Sequence, residues 1–197
     1  MTYCILVLRH NQILTLKTLS YSNHTSIFFF LKLIVKINAF VYNNSGDNME
    51  YKLVVKNELE TIELAQNMES EKFPNMVICL NGELGSGKTV FTKAFASAME
   101  IKENVTSPTF SIIKEYNGEL PLYHMDVYRL NGNCDGIGIE EYFDKGGVVI
   151  IEWADTIKEL LPKERIDIKF LVTGEAKRTL TIQAYGSQYE ELCEAIL

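Results

Sequence analysis

Residues Gly82–Thr89 read Gly-Glu-Leu-Gly-Ser-Gly-Lys-Thr, the pattern of a phosphate-binding loop of the Walker A type. The apolar, β-branched run Met76–Asn81 before this loop predicts a buried strand, and the apolar residues of Val90–Met99 recur at helical spacing. Strand, glycine-rich loop and helix therefore follow one another in the order that the motif requires. This order predicts a site for a nucleoside triphosphate; the alternative is a glycine-rich turn that merely joins a strand to a helix.

The residue types of the loop suit a triphosphate with magnesium. Gly82, Gly85 and Gly87 permit positive φ angles and leave backbone N–H groups free to face phosphate oxygens. The N-terminus of the helix that follows favours an anion. Lys88 is predicted to reach the β- and γ-phosphates, and the Thr89 hydroxyl is predicted to ligate magnesium.

The composition separates the chain into two parts. The 197 residues include 19 Lys and Arg, 26 Asp and Glu, and four cysteines without the spacing of a zinc site. Residues 1–48 contain four of the basic residues and one of the acidic residues. Residues 49–197 therefore contain 15 basic and 25 acidic residues and have a formal charge of −10. Phosphate backbones are bound through Lys and Arg, so we expect this part to meet RNA only through a partner. The cysteine pattern fits a reducing cytoplasm.

Residues 1–48 contain no motif, and the organised pattern begins at Met49. We therefore expect residues 1–48 to be a leader outside the domain, either disordered or the product of a mis-assigned start. The segment Ser26–Tyr42 is the one membrane candidate. Its apolar residues favour insertion by roughly 3–7 kcal/mol, but Lys32 and Lys36 cost about 5–7 kcal/mol. We expect no membrane anchor.

Residues 49–197 alternate between strand and helix patterns. Strands are predicted at Tyr51–Lys56, Phe110–Tyr116, Leu120–Tyr128, Val148–Ile151, Ile166–Val172 and Leu180–Tyr185, and helices at Glu58–Glu71, Thr156–Leu161 and Gln188–Leu197. This succession predicts one α/β domain of the P-loop NTPase type, with a mixed sheet flanked by helices. The sheet should be parallel where strands flank helices and antiparallel at two hairpins.

Two carboxylates end apolar strands, where a phosphate-loop enzyme needs a second magnesium group and a base that orients water. Glu152 is predicted to hold magnesium directly or through water, and Asp126 is the second acid. Either residue could instead cap a strand end or a turn. His124 is interpreted as a core or hairpin histidine, and Trp153 either shields the site or packs in the core.

Two further features bear on the class of enzyme. The loop Thr106–Thr109 lies where phosphate-loop proteins keep a nucleotide-sensing segment, although its proline also suits the start of a strand. Residues 49–197 contain only three arginines, Arg129, Arg165 and Arg178, and no Asn-Lys-x-Asp tetrapeptide that reads guanine. Both facts favour an ATPase over a nucleotide kinase or a GTPase.

Five motifs in this order resemble the TsaE family, namely Gly82–Thr89, Val105–Phe110, His124–Leu130, Gly138–Phe143 and Ile151–Ala154. The resemblance covers residues 49 to about 197 and implies a magnesium-dependent ATPase whose partners are TsaD and TsaB. Because arginines are few, with Arg129 the one candidate for an internal arginine finger, we expect the ATPase to be weak alone and stimulated by those partners. In that family the ATPase sustains turnover of the complex that forms threonylcarbamoyladenosine beside the anticodon of tRNA. A nucleotide-gated binding subunit with incidental hydrolysis and a small-molecule kinase stay open as alternatives.

The resemblance also implies roles for individual residues. The residues implied to contact the nucleotide are Gly85, Ser86, Gly87, Lys88, Thr89, Val90 and Asp126, with Glu58 and Thr173 at its border. Catalytic roles are implied for Lys88, Asp126 and Glu152, and magnesium ligation for Thr89 and Glu152. Val90 stands where many members have a second threonine.

Overall fold

The computed structural model describes residues 2–9, 12–20, 40–43, 49–131, 134 and 136–197. The chain forms two units, Met1–Ile37 and Asn38–Leu197. In the first unit, strand β1 (Thr2–Arg9) pairs antiparallel with strand β2 (Gln12–Ser20). Most of the membrane candidate Ser26–Tyr42 lies outside the described residues. Among the residues that are described, no helix has the length and apolar character to cross a membrane. The leader at residues 1–48 stays a prediction, because residues 10–11, 21–39 and 44–48 also lie outside that range.

The second unit is built on one eight-stranded sheet. Its strands are β3 (Phe40–Asn43), β4 (Met49–Val55), β5 (Val77–Gly82), β6 (Ile113–Tyr116), β7 (Leu122–Asp126), β8 (Val148–Glu152), β9 (Arg165–Val172) and β10 (Arg178–Tyr185). Its helices are α1 (Glu58–Glu69), α2 (Lys88–Ala98) and α3 (Ser187–Ile196). The strands lie in the order β3-β4-β10-β9-β5-β8-β7-β6.

The centre of this sheet is parallel and its flanks are antiparallel. Strand β5 pairs parallel with β8 and with β9, and β7 pairs parallel with β8. The remaining pairs, β3 with β4, β4 with β10, β10 with β9 and β6 with β7, are antiparallel. The predicted mixed α/β fold is confirmed. The carboxyl ends of β5, β7, β8 and β9 meet at one edge, where ligands bind in open α/β sheets.

The central strands are apolar on both faces because each face is covered. On β5, Ile78 and Leu80 belong to one buried cluster, and Val77 and Cys79 belong to another. The first cluster includes buried side chains of all three helices, and the second includes those of the short 3-10 segments Ile139–Tyr142 and Ala154–Leu160. Strands buried on both faces read as continuous apolar runs, which is why β5 and β8 were readable from the sequence.

Two strands and one helix differ from their predictions. The strands of the first hairpin are shorter than predicted, because Ile112 has a left-handed φ of 66° and the strand begins only after it. Its partner begins after Pro121, whose ring nitrogen cannot donate to a strand ladder. The predicted α-helix Thr156–Leu161 is instead the 3-10 segment Ala154–Leu160, kinked at Ile157.

Candidate phosphate-binding and metal site

The glycine-rich loop leaves β5 at the carboxyl edge of the sheet and leads directly into α2. Gly82, Gly85 and Gly87 all have positive φ angles, of 140°, 76° and 116°. A Cβ atom on Gly82 would lie 2.5 Å from the Phe170 carbonyl oxygen and 2.9 Å from the Ser86 Oγ. Gly87 precedes α2 and has no side chain to cap it, so the first N–H groups of the helix can meet an anion.

Lys88 lies over this loop and is almost fully covered, with a relative exposure of 4%. Its Nζ donates to the carbonyl oxygens of Gly82 (2.7 Å) and Glu83 (3.0 Å). Burial lowers the pKa of Lys88, and the nearby carboxylates of Glu152 and Asp126 act in the opposite direction. Among the described residues, the hydrogen bonds of the ammonium go to neutral carbonyls of its own loop, which an anionic phosphate can replace.

Glu152 ends β8 and is held by a donor on each carboxylate oxygen. The Thr89 Oγ1 donates to Oε2 at 2.9 Å, and the His124 Nε2 lies 2.9 Å from Oε1. The register partner of Glu152 on β5 is Leu80, two residues before the phosphate loop begins at Gly82. A hydroxyl and a carboxylate oxygen side by side are oxygen ligands of the kind that magnesium prefers.

Asp126 ends β7 and is the register partner of Glu152. Its Oδ2 accepts from the Ser107 Oγ (3.0 Å) and the Thr109 Oγ1 (2.7 Å), and its Oδ1 accepts from the Tyr128 backbone N–H (3.1 Å). This carboxylate therefore holds the loop that was predicted to sense the nucleotide.

Trp153 contacts both the site and the core. It has a left-handed φ of 66°, and its backbone N–H donates to the Leu80 carbonyl at 2.8 Å. Its ring centroid lies 4.0 Å from the Lys88 Nζ and 4.7 Å from the Tyr128 ring centroid, and the residue also packs against the second buried cluster. The indole therefore covers the phosphate-loop lysine and is packed on the core as well, so the two alternatives that the sequence left open are both met.

The remaining residues predicted to contact the nucleotide differ in burial and in their place in the fold. Ser86 is buried, and its Oγ has no hydrogen-bond partner among the residues that the structure describes. Val90 is half-buried on α2. Glu58 begins α1 and is exposed, and Thr173 lies in the exposed β9–β10 turn. Their contacts with a nucleotide stay predictions.

Two contacts of the site were not predicted from the sequence. His124 is a buried residue of a hairpin strand, as interpreted, but its contact with Glu152 was missed although alternation had placed His124 on the face of Asp126. Arg178 donates to the carbonyls of Ser86 (3.2 Å) and Gly85 (3.5 Å), and to that of Glu175 (3.1 Å). It therefore joins the phosphate loop to the β9–β10 turn; the signal available in the sequence was that residues 49–197 contain only three arginines.

The arrangement fits a nucleoside triphosphate with magnesium. The three glycines hold the loop at positive φ angles, the buried Ser86 hydroxyl is unpaired within the described part, and the hydrogen bonds that the structure gives for Lys88 go to neutral carbonyls. Thr89 and Glu152 supply oxygen ligands beside the loop.

Known proteins share the sequence and the fold of this chain. The sequence profile of "Threonylcarbamoyl adenosine biosynthesis protein TsaE" matches residues 55–180. The chain is 48% identical to the tRNA threonylcarbamoyladenosine biosynthesis protein TsaE of Bacillus subtilis (strain 168), over 70% of this chain and 87% of that one. It is 39% identical to the protein of that name from Treponema pallidum, over 54% and 80%. The crystal structure of Bacillus subtilis YdiB superposes with a TM-score of 0.68, at 43% identity, over 77% of this chain and 97% of that one.

The parallel centre of the sheet and the glycine-rich loop at its carboxyl edge define an α/β protein of the P-loop NTPase type. Within that class, the matched profile and the relatives identify the family. The chain belongs to the TsaE family of threonylcarbamoyl adenosine biosynthesis proteins.

Proposed function

We propose that this protein is a magnesium-dependent ATPase that sustains the formation of threonylcarbamoyladenosine beside the anticodon of tRNA. The observation that carries the proposal is the contact between the Thr89 hydroxyl and the Glu152 carboxylate, 2.9 Å apart at the end of the phosphate loop. A plain strand-to-helix turn needs no carboxylate at that point, whereas a site for a metal–triphosphate complex does.

The roles of the residues follow from their positions. The loop N–H groups and the first turn of α2 bind the phosphates, and Lys88 exchanges its two carbonyl partners for phosphate oxygens. Thr89 and Glu152 would hold magnesium, which neutralises charge on the phosphates when it is bound. Asp126 lies on the adjacent strand end, where it can orient the attacking water or contact the nucleotide.

Among the described residues of 49–197, each arginine already has a partner that it would have to leave to meet charge developing on the transferred phosphoryl group. Arg178 contacts the loop carbonyls, Arg165 pairs with Asp167 at 2.9 Å, and Arg129 lies over the Phe110 ring at 4.3 Å. An arginine finger is worth about 10³–10⁵ in rate. We therefore propose that the protein is slow alone and that TsaD and TsaB homologues complete or order its site.

Contact with tRNA is proposed to pass through that complex. The formal charge of −10 on residues 49–197 disfavours direct binding to a phosphate backbone. The complex would act in the cytoplasm.

A second candidate is a nucleotide-gated binding subunit in which hydrolysis is incidental. It is favoured by the bonds from Ser107 and Thr109 to Asp126, since a nucleotide that recruits Asp126 would release this loop. Phe110 follows directly on the loop and is 88% exposed, and Leu84 on the phosphate loop is 90% exposed. Such apolar side chains suit a surface that meets a partner.

Phosphate release at saturating ATP and magnesium tests the proposal. Adding the TsaD–TsaB pair should raise the rate by about tenfold or more, a modest share of the arginine term. Equal rates with and without partners would mean that the isolated site is already complete. A multiple-turnover modification assay with a non-hydrolysable ATP analogue then separates the candidates, because only the binding subunit stays active with the analogue.

A further inference from the structure

His124 is a fully buried histidine that the roles above leave unused. Its side chain has a relative exposure of 0%, and its Nε2 lies 2.9 Å from the Glu152 Oε1. A carboxylate can only accept hydrogen bonds, so the Nε2 carries the hydrogen of this contact. The other ring nitrogen, Nδ1, is buried and has no hydrogen-bond partner in the part of the chain that the structure describes.

The sheet brings this ring to one target. His124 lies on β7 two residues before Asp126, and its register partner on β8 is Ile150, two residues before Glu152. Successive side chains alternate along a strand, so His124 and Glu152 share the face that α2 covers. Leu122 and Ile150, also on this face, belong to the apolar cluster. An apolar residue would fill the position of His124 without the cost of burying a polar ring.

Glu152 has two side-chain contacts, with His124 and with Thr89, and magnesium binding should affect them differently. Thr89 is the second donor, and its hydroxyl is the group proposed to turn to magnesium. Once Thr89 does so, only His124 would still hold the carboxylate by a side-chain bond among the contacts that the structure describes. Without that bond the carboxylate is free to rotate, and neither oxygen is directed at the metal.

We propose that His124 is a positioning residue that holds the Glu152 Oε1 and thereby keeps Oε2 directed at the magnesium site. The inference rests on the proposed function, because His124 can orient Glu152 for magnesium only if Glu152 binds magnesium. Residues that orient metal-binding groups in this way are worth roughly 10–100-fold in metal affinity or activity.

Two substitutions in the full chain separate positioning from packing. His124→Gln keeps an N–H donor, whereas His124→Leu fills the space without one. Magnesium should strengthen ATP binding, and we expect His124→Leu to raise the magnesium concentration that gives half of this effect by about 10–100-fold. Its ATP affinity without magnesium should stay unchanged, and His124→Gln should recover most of the magnesium dependence. The control is Met125→Leu, a volume-conserving change at a buried residue of the opposite face of β7.

A metal-free measurement tests the geometry independently. The ring N–H of His124 should give a slowly exchanging NMR signal without nucleotide, because it is buried and hydrogen-bonded. The signal should vanish in His124→Gln, which assigns it among the three histidines of the chain, and it should shift in Glu152→Gln.

The outcomes are distinct. If His124→Leu and His124→Gln bind magnesium and ATP as the unsubstituted chain does, or if Met125→Leu loses as much as His124→Leu, positioning is refuted and the proposed ATPase stands. If the unsubstituted chain shows no magnesium-dependent ATP binding, the proposed function and this inference fall together.

Discussion

Replacing Lys88 with alanine should remove most of the affinity for ATP and leave the fold in place. Lys88 gives up bonds to the carbonyls of Gly82 and Glu83 when it turns to phosphate, so only the difference counts toward affinity. Hydrogen bonds that involve a charged group contribute about 1.5–3 kcal/mol each; the two bonds to phosphate join two ions and lie at the upper end, whereas the two bonds from the ammonium to neutral carbonyls lie at the lower end. The net loss is about 3 kcal/mol, or roughly 10²-fold in Kd.

The stability of the domain should change little in this variant. Burial disfavours the charged form of Lys88 and lowers its pKa, so removing the ammonium relieves a cost while it removes two bonds. The carbonyl of Glu83, an exposed residue, can bond water instead. We expect a change in unfolding free energy within about 1 kcal/mol.

Calorimetric titration with ATP and magnesium measures the affinity, and the single tryptophan offers a second probe. The Trp153 ring lies 4.0 Å from the Lys88 Nζ, so ATP should change its fluorescence in the unsubstituted chain and much less in Lys88→Ala. Lys93→Ala is the matched control, because Lys93 is an exposed lysine of the same helix. Unchanged ATP affinity in Lys88→Ala, or an equal loss in Lys93→Ala, would refute the assignment of the phosphate site.

Three further outcomes are expected. At saturating magnesium, Glu152→Gln should keep much of the ATP affinity but lower hydrolysis by about 10²-fold, as loss of a metal-positioning or water-orienting group does; near-normal phosphate release would transfer the role to Asp126. Gly82→Ala should destabilise the domain by at least about 2–3 kcal/mol in urea unfolding, because φ is 140° and the new Cβ would meet the Phe170 carbonyl at 2.5 Å; an unchanged midpoint would contradict that crowding. The fragment 49–197 should fold and bind ATP as the full chain does; if only the fragment 38–197 does so, the pairing of β3 with β4 is required.

The sequence alone was sufficient for features that depend on residues close together in the chain. The glycine-rich loop was recognisable because positive φ angles, N–H groups that face an anion and a following helix all depend on residues within one short stretch. Strands β5 and β8 were recognisable because burial on both faces demands an unbroken apolar run. The end of β8 also marked Glu152 as a site residue.

The tertiary structure decided which of these residues meet. The Thr89–Glu152 bond spans 63 positions of the chain, and the bond from Arg178 to the Ser86 carbonyl spans 92. His124 had the pattern of a core residue in the sequence, and only the parallel register of β7 and β8 brings its ring to the Glu152 carboxylate. Hydrogen bonds depend on distance and direction in space, and neither can be read from residue order until strand pairing has set the register.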